Sequence, residues 1–438
     1  MTQQLAAARD LTESTVRLVK NVRIPSSVPG LDLSADLYLP AGRSAATPAI
    51  VMVTSARKDA FGGIGTRRYC RDLAEHGYAA MYVDCFGVGR SAGAPRPMLA
   101  VEEIDDAVGV VEWTSAQPWC NGQVGLWGES HGATITLAVA ARRPPALRAI
   151  GAIMGFTDIE RDLVHPNGVR GGIAMFGHLA LYDVLNSLLP PLRAGADPEA
   201  MSIWRERLER YEPWFVDAWR HGPGHHAWRE RRVDAAQIDV PSFIVAGWRD
   251  IGCEAMISAY EQARGPSALV VGPWLHGYPD ASPVEPIAVA AMLRSWWDRW
   301  LRPGEREEGI SDVPTVFVQG DDSGWAQCHR WPPSSTDTLT YDTHSDGSLA
   351  VSAEPTQATE TTHSPDGAAM LTLDCDPTVG ATSGLSKHLV QAFGHPVDQH
   401  EDDARSMTFT TEPLSGSLVI LGRVNVHLVL GGLTTATR

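Results

Sequence analysis

The stretch V-G-L-W-G-E-S-H-G-A-T, residues 124–134, joins an apolar, β-rich run to an alanine-rich one across Gly128-Glu129-Ser130-His131-Gly132. Its pattern reads as strand, sharp turn, helix, with Ser130 at the apex of the turn. A serine on such a turn is held in strained backbone geometry with its hydroxyl clear of the sheet. The flanking glycines are required because side chains there would meet the neighbouring strand or helix. The N–H of His131 then points from a helix N-terminus toward whatever is bonded to the serine oxygen, which makes it one donor for an oxyanion.

A chain with 41 glycines can contain G-x-S-x-G by accident, so context decides. Upstream, Ala49–Val53 and Ala79–Val83 are short, nearly continuous apolar runs of the kind expected for parallel strands buried on both faces. The second runs into D-C-F-G-V-G-R-S, a loop at the carboxyl end of a strand. Residues 101–115 read as a helix with Val101, Ile104, Val108 and Val111 on one face and Glu102, Glu103, Asp105 and Asp106 early, where acids suit the helix dipole. Strand, helix, strand, helix and turn is the α/β order.

A reactive serine needs a base, and the base needs an orienting acid. P-S-F-I-V-A-G-W-R-D is an apolar strand ending in a loop with Asp250, and S-A-L-V-V-G-P-W-L-H-G is another ending in His276, with one helix-length segment between them. The order Ser130, Asp250, His276 resembles the triad order of α/β-hydrolases.

Four blocks carry a closer resemblance: W-T-S-A-Q-P-W-C-N-G-Q-V-G-L-W-G-E-S-H-G (113–132), V-P-S-F-I-V-A-G-W-R-D (240–250), L-V-V-G-P-W-L-H-G (269–277) and W-W-D-R-W-L (296–301). Together they resemble the cocaine esterase / X-Pro dipeptidyl-peptidase (CocE/NonD) family of serine hydrolases over nearly the whole chain. The resemblance implies an α/β-hydrolase core (1–156 and 236–305), an inserted helical cap (157–235) and a C-terminal all-β, jelly-roll-like domain (312–438). The cap region is rich in Arg, Leu, Trp and Glu with helical spacing, and lids of this kind wall a pocket above the strand ends. T-V-F-V-Q, T-L-T-Y, S-L-A-V, M-L-T-L, M-T-F-T-T, S-L-V-I-L and N-V-H-L-V-L read as strands of the last domain. Family members continue for several more strands, whereas this chain stops at G-G-L-T-T-A-T-R. The expectation is an incomplete jelly roll whose face of Leu418, Ile420, Val424, Val426 and Leu428 and free edge favour self-association as a homo-oligomer.

A net charge of −16, from 36 Lys and Arg against 52 Asp and Glu, argues against nucleic acid and anionic membranes as partners. No basic stretch followed by a long apolar run opens the chain, and no run approaches the ~20 apolar residues of a membrane helix, so a cytoplasmic location is expected. The six cysteines contain no C-x-x-C pair, which favours free thiols over disulfides or zinc. His225 and His226 have no acid or cysteine at ligand spacing and read as solvated or cap residues.

The remaining site expectations follow from position and from the family. Asp84 reads as a structural loop acid. The second oxyanion donor is expected from the T-S-A-R-K-D loop, where cocaine esterases place a tyrosine hydroxyl and this chain has Arg57. The Arg57 side chain, a solvated-loop role for it, and the backbone N–H of Arg57 or Lys58 are the alternatives. Most tryptophans read as core, with Trp204 or Trp214 as candidates for lining an acyl pocket. Relatives that hydrolyse α-amino acid esters carry carboxylates two and three residues past the catalytic aspartate, positions held here by Gly252 and Cys253. Glu254 falls one residue late. A neutral acyl ester of a small molecule is therefore the expected substrate, with no metal or organic cofactor. An acyltransferase, an X-Pro dipeptidyl-peptidase-like peptidase and a catalytically degenerate scaffold are the alternatives.

Overall fold

In the computed structural model the described residues are 15–42, 45–60, 63–168, 180–191, 197–302, 304, 312–329, 331–333, 337–352, 371–374, 376–380, 394–395 and 398–427. They divide into two compact units, the first covering 1–327 with 384–395 and the second 328–383 with 396–438.

The first unit is built on one mixed sheet. Its strands are β1 (Val16–Pro25), β2 (Asp32–Pro40), β3 (Thr47–Thr54), β4 (Ala79–Asp84), β5 (Cys120–Glu129), β6 (Leu147–Ile153), β7 (Ser242–Gly247), β8 (Ser267–Gly272), β9 (Thr315–Val318) and β10 (Gly324–Gln327). They lie in the order β1-β2-β4-β3-β5-β6-β7-β8-β9-β10. From β4 to β9 every neighbouring pair is parallel, and antiparallel strands close both edges. Every residue of β3, β4 and β7 is buried, which accounts for their unbroken apolar sequences. Helices α1 (Ile64–Glu75), α2 (Val101–Ser115) and α3 (His131–Arg142) connect β3 to β4, β4 to β5 and β5 to β6. Strand order reverses about β3, whose neighbours β4 and β5 come later in the chain. In sheets of this kind the crevice outside the carboxyl ends at such a reversal is where ligands bind. Buried aromatics fill the core, with the Tyr69 and Trp127 rings edge-on at 4.6 Å and Trp297 Nε1 donating to the Tyr69 hydroxyl at 2.9 Å.

Two sequence expectations change. T-V-F-V-Q, read as part of the C-terminal domain from residue 312, supplies β9 of the first unit's sheet, with Val270 opposite Thr315 and Val271 opposite Val316. Val316 and Phe317 are buried, and an apolar run of this length carries no mark of which sheet it joins. In α2 the buried face is Glu103, Ile104, Asp106, Ala107, Val110, Val111 and Thr114, so it is rotated from the expected stripe, with Val101 and Val108 half-buried. Two acids read as dipole-complementing surface groups are inside because each meets a partner there. Arg96 Nη1 donates to Asp106 at 2.6 Å, and Glu103 faces His131.

Between β6 and β7 the described residues are mostly short helical pieces, the longest being Pro198–Glu209 and Trp214–Arg220, in keeping with their helical spacing. Pro198–Glu209 starts from Asp197, whose side chain accepts the Ala200 N–H, with proline in its first turn. The second unit shows an antiparallel hairpin, β11 (Tyr341–Thr343) with β12 (Leu349–Val351), and a bridge from Ser348 to Thr410. Of the expected inner face, Leu418, Ile420, Val424 and Val426 are exposed, and Leu428 lies outside the described residues. Among the described residues no helix is long and apolar enough to cross a membrane.

Candidate active site

β5 ends at Glu129 and α3 begins at His131, so the whole reversal falls on Ser130, at φ +56° and ψ −121°. That left-handed backbone is costly for a residue with a Cβ and marks a site where the fold enforces strain. The enforcement is visible in the glycines. A Cβ on Gly128 would lie 2.2 Å from the carbonyl carbon of Gly132, and one on Gly132 would lie 3.3 Å from the Val53 oxygen at the end of β3.

His276 follows β8 and Asp250 follows β7, so both stand at the carboxyl edge beside the turn. His276 Nε2 lies 2.8 Å from Ser130 Oγ, and its Nδ1 lies 2.6 Å from Asp250 Oδ1. An ionised carboxylate only accepts, so Nδ1 carries the ring proton and the Nε2 lone pair receives the serine hydroxyl. Phe156 stacks over the imidazole at 6.1 Å between centroids. Burial by itself would push the His276 pKa down, yet the Asp250 charge and hydrogen bond, followed by the Glu129 charge, leave it raised. Glu129 Oε1 is 3.9 Å from His276 Nε2. Burial raises the Glu129 pKa, with Asp250 adding and His276 opposing. The arrangement can take a proton from Ser130 and hold the resulting imidazolium between two acids.

His131 opens α3, so its N–H has no acceptor from a preceding turn of helix. Its side chain points away from Ser130 and is buried, with Nε2 at 3.3 Å from Glu103 Oε2 and Nδ1 at 3.1 Å from Ser55 Oγ. The Ser55 hydroxyl in turn lies 3.1 Å from that of Tyr182.

Arg57 departs from its assignment as an oxyanion donor. Its guanidinium forks onto Asp59, Nε to Oδ1 and Nη2 to Oδ2 both at 2.9 Å, and Nη1 donates to the Leu189 carbonyl at 2.8 Å. A carboxylate two residues along the chain satisfies the charge locally, and the side chain is only 4 % exposed. Its backbone N–H and that of Lys58 are also engaged, by Asn186 Oδ1 at 3.3 Å and Asp84 Oδ1 at 2.7 Å. Asp84 is the buried structural acid expected, accepting also from the Arg90 N–H at 3.2 Å and lying 3.6 Å from Lys58 Nζ. His225 caps the helix His226–Glu230 and stacks on His221 at 4.1 Å. Trp214 lines a cavity of about 30 Å³ with Ser55, His131, Tyr182 and Asn186, whereas Trp204 Nε1 is used on the Leu188 carbonyl.

At Gly252 a Cβ would lie 2.4 Å from the Gly155 oxygen, so a carboxylate has no room there, and Glu254 is drawn to Arg161 at 3.3 Å. Among the described residues Cys85, Glu103 and His131 form the one group of three whose ligand-type atoms lie within 4.8 Å of one another; burial pushes the Cys85 thiol up, and Glu103 adds to the rise. The sequence gives no site role to Ser55, Glu103, Glu129 or Tyr182: Glu129 lies inside the Ser130 turn motif, Ser55 inside the T-S-A-R-K-D loop and Glu103 among the acids of the α2 first turn, while Tyr182 carries no spacing signal.

A family model of X-Pro dipeptidyl-peptidase (S15 family) matches residues 29–278, and one of the X-Pro dipeptidyl-peptidase C-terminal non-catalytic domain matches 308–431. The chain is 24% identical over 462 residues to cocaine esterase of Rhodococcus sp. (strain MB1 Bresler), covering 95% of this chain and 78% of that one. Among solved structures it resembles a CocE/NonD family hydrolase from Staphylococcus aureus, with TM-score 0.60 and 17% identity over 77% of this chain. It also resembles an α-amino acid ester hydrolase, with TM-score 0.58 and 18% identity over 80% of this chain and 66% of that one. The match spans 60% of the staphylococcal chain. At these identities the structural likeness shows the fold, an α/β-hydrolase.

Proposed function

The chain belongs to the X-Pro dipeptidyl-peptidase (S15) family of serine esterases and peptidases, and on that premise we propose that it hydrolyses a carboxylic ester through an acyl-enzyme on Ser130. The observation that carries the reading is the unbroken chain Ser130 Oγ, His276 Nε2, His276 Nδ1, Asp250 Oδ1, with links of 2.8 and 2.6 Å. Ser130 Oγ attacks the ester carbonyl carbon and its proton passes to His276 Nε2. Asp250 stabilises the imidazolium, and the His131 N–H receives the carbonyl oxygen as it becomes negative. Collapse of the tetrahedral intermediate breaks the bond to the leaving oxygen, which takes the proton from Nε2. A water, deprotonated by His276 in its turn, releases the acid and restores Ser130.

A neutral acyl group is the reading favoured. The crowding at Gly252 and the pairing of Glu254 with Arg161 leave neither position to hold a substrate ammonium, and a buried ammonium without a partner is costly. The test is a panel of p-nitrophenyl esters of increasing acyl length set against X-Pro dipeptide p-nitroanilides, each with the parent and Ser130→Ala. Turnover of esters, lost in Ser130→Ala, is expected. Turnover confined to the X-Pro anilides would make the chain a peptidase, and acyl products formed with added alcohol would make it a transferase. Turnover of neither class by folded protein would favour a binding role.

A further inference from the structure

An oxyanion held by the His131 N–H alone is incompletely stabilised, and the loop after β3 has few donors to spare. The Ala56 N–H is on Thr54 Oγ1 at 3.1 Å, the Arg57 and Lys58 N–H groups are on Asn186 and Asp84, and the Arg57 fork is on Asp59. What the structure brings to the end of β3 is a hydroxyl from the segment between β6 and β7. Tyr182 OH lies 3.1 Å from Ser55 Oγ, the first residue past β3, and Ser55 lies 3.1 Å from the ring of His131, whose backbone N–H is the first donor. The turn itself rests on this strand end, since a Cβ on Gly132 would meet Val53 O at 3.3 Å and Thr54 Cβ at 3.5 Å. We propose that Tyr182 is the second oxyanion donor of this enzyme and that Glu103, His131 and Ser55 form a hydrogen-bonded relay that positions it. The proposal rests on Ser130 being the nucleophile.

The direction of every proton in the relay follows from its buried end. Glu103 Oε2 accepts the Leu99 N–H at 2.8 Å and faces His131 Nε2 at 3.3 Å. Burial would raise the Glu103 pKa, but the His131 charge and hydrogen bond, with those from Leu99 and Cys85, hold it below the usual carboxylate range. A carboxylate only accepts, so Nε2 presents its proton to Glu103, and the tautomer carrying its proton there offers Nδ1 as an acceptor. Ser55 gives its proton to Nδ1 and turns a lone pair toward Tyr182, which donates to it. Tyr182 is thus the member of the relay whose proton rests on a neutral, weakly competing oxygen. Burial first, and the Glu129 charge after it, raise the Tyr182 pKa, so the phenol keeps that proton to give. An alkoxide forming on the carbonyl bound to Ser130 is a far stronger acceptor than a serine hydroxyl, because hydrogen bonds to an ionised acceptor are roughly twice as strong as neutral ones.

The test uses the full chain with a p-nitrophenyl ester that the parent turns over. Tyr182→Phe is expected to lower kcat roughly 10²- to 10³-fold with KM within about threefold, the signature of an interaction made in the transition state. Its rate of inactivation by a fluorophosphonate is expected to fall in parallel, since attack builds charge on the phosphoryl oxygen in the same place. Glu103→Gln, which keeps a carbonyl oxygen for the Leu99 N–H and His131 Nε2 but removes the charge that draws the ring proton to Nε2, is expected to lower kcat about tenfold in the parent and to have little effect in the Tyr182→Phe background. Ser55→Ala keeps the tyrosine ring and serves if Tyr182→Phe fails to fold; a smaller loss in kcat with KM unchanged is expected. A folded Tyr182→Phe enzyme with kcat within threefold of the parent, or with only KM raised, overturns the proposal. Ser130→Ala activity equal to the parent would instead overturn the nucleophile on which it rests.

Discussion

Asp250→Asn removes one charge and almost no volume, which makes it the sharpest probe of how His276 is held. Asp250 is 1 % exposed, and its Oδ2 has no hydrogen-bond partner among the described residues. An asparagine that kept its carbonyl on Nδ1 would leave its NH₂ as an orphaned donor at that Oδ2 site, a penalty of about 1–3 kcal/mol. The amide therefore turns its NH₂ to Nδ1, 2.6 Å away in the parent, and forces the ring proton onto Nε2, where it faces Ser130 Oγ and blocks proton transfer. The second loss is electrostatic: a unit charge about 4 Å from the imidazolium centre is worth about 4 kcal/mol at an effective dielectric constant near 20, or roughly three powers of ten. Adding the wrong tautomer brings the expected fall in kcat to about 10⁴. The assay is steady-state ester hydrolysis near neutral pH, with circular dichroism and thermal melting to show that the fold persists. A loss of less than about tenfold in folded protein would refute the reasoning and direct attention to Glu129.

Glu129→Gln is expected to shift the acid limb of the kcat/KM profile to lower pH. The Glu129 charge helps hold the His276 pKa up, so removing it lets the imidazole stay neutral, and able to act as a base, in more acidic solution; a limb that moves up or stays put contradicts this. Arg57→Ala is expected to destabilise the fold by about 1–3 kcal/mol, seen in chemical or thermal unfolding, because it empties a buried fork. Its kcat should stay within about threefold, and a roughly 10²-fold fall at unchanged stability would restore Arg57 as an oxyanion donor.

What the sequence made legible was whatever depends on local pattern. The strand runs at β3, β4, β7 and β8 stand out because strands covered on both faces cannot alternate, and the Ser130 turn stands out because it needs its glycines. Asp250 and His276 are legible because they follow apolar runs directly, and the structure joins His276 to Ser130 and Asp250 to His276. The rest depended on partners remote in the chain. Glu103 looked like a dipole acid because nothing near it in sequence shows that His131 closes over it. Arg57 looked available because position alone does not reveal whether Asp59, two residues on, will take its fork. Tyr182 lies 127 positions from the serine it touches, in a region whose composition signals helices without saying which side chain reaches the sheet.

The central claim is that Ser130 is a nucleophile activated by His276 and Asp250. Intact-mass spectrometry of the full chain after reaction with a fluorophosphonate, followed by peptide mapping, measures this without knowledge of the natural substrate. One adduct per chain is predicted, on the peptide carrying Ser130, formed quickly in the parent, absent in Ser130→Ala and much slower in Asp250→Asn. No adduct on folded parent protein, or an adduct that persists undiminished in Ser130→Ala, would contradict it.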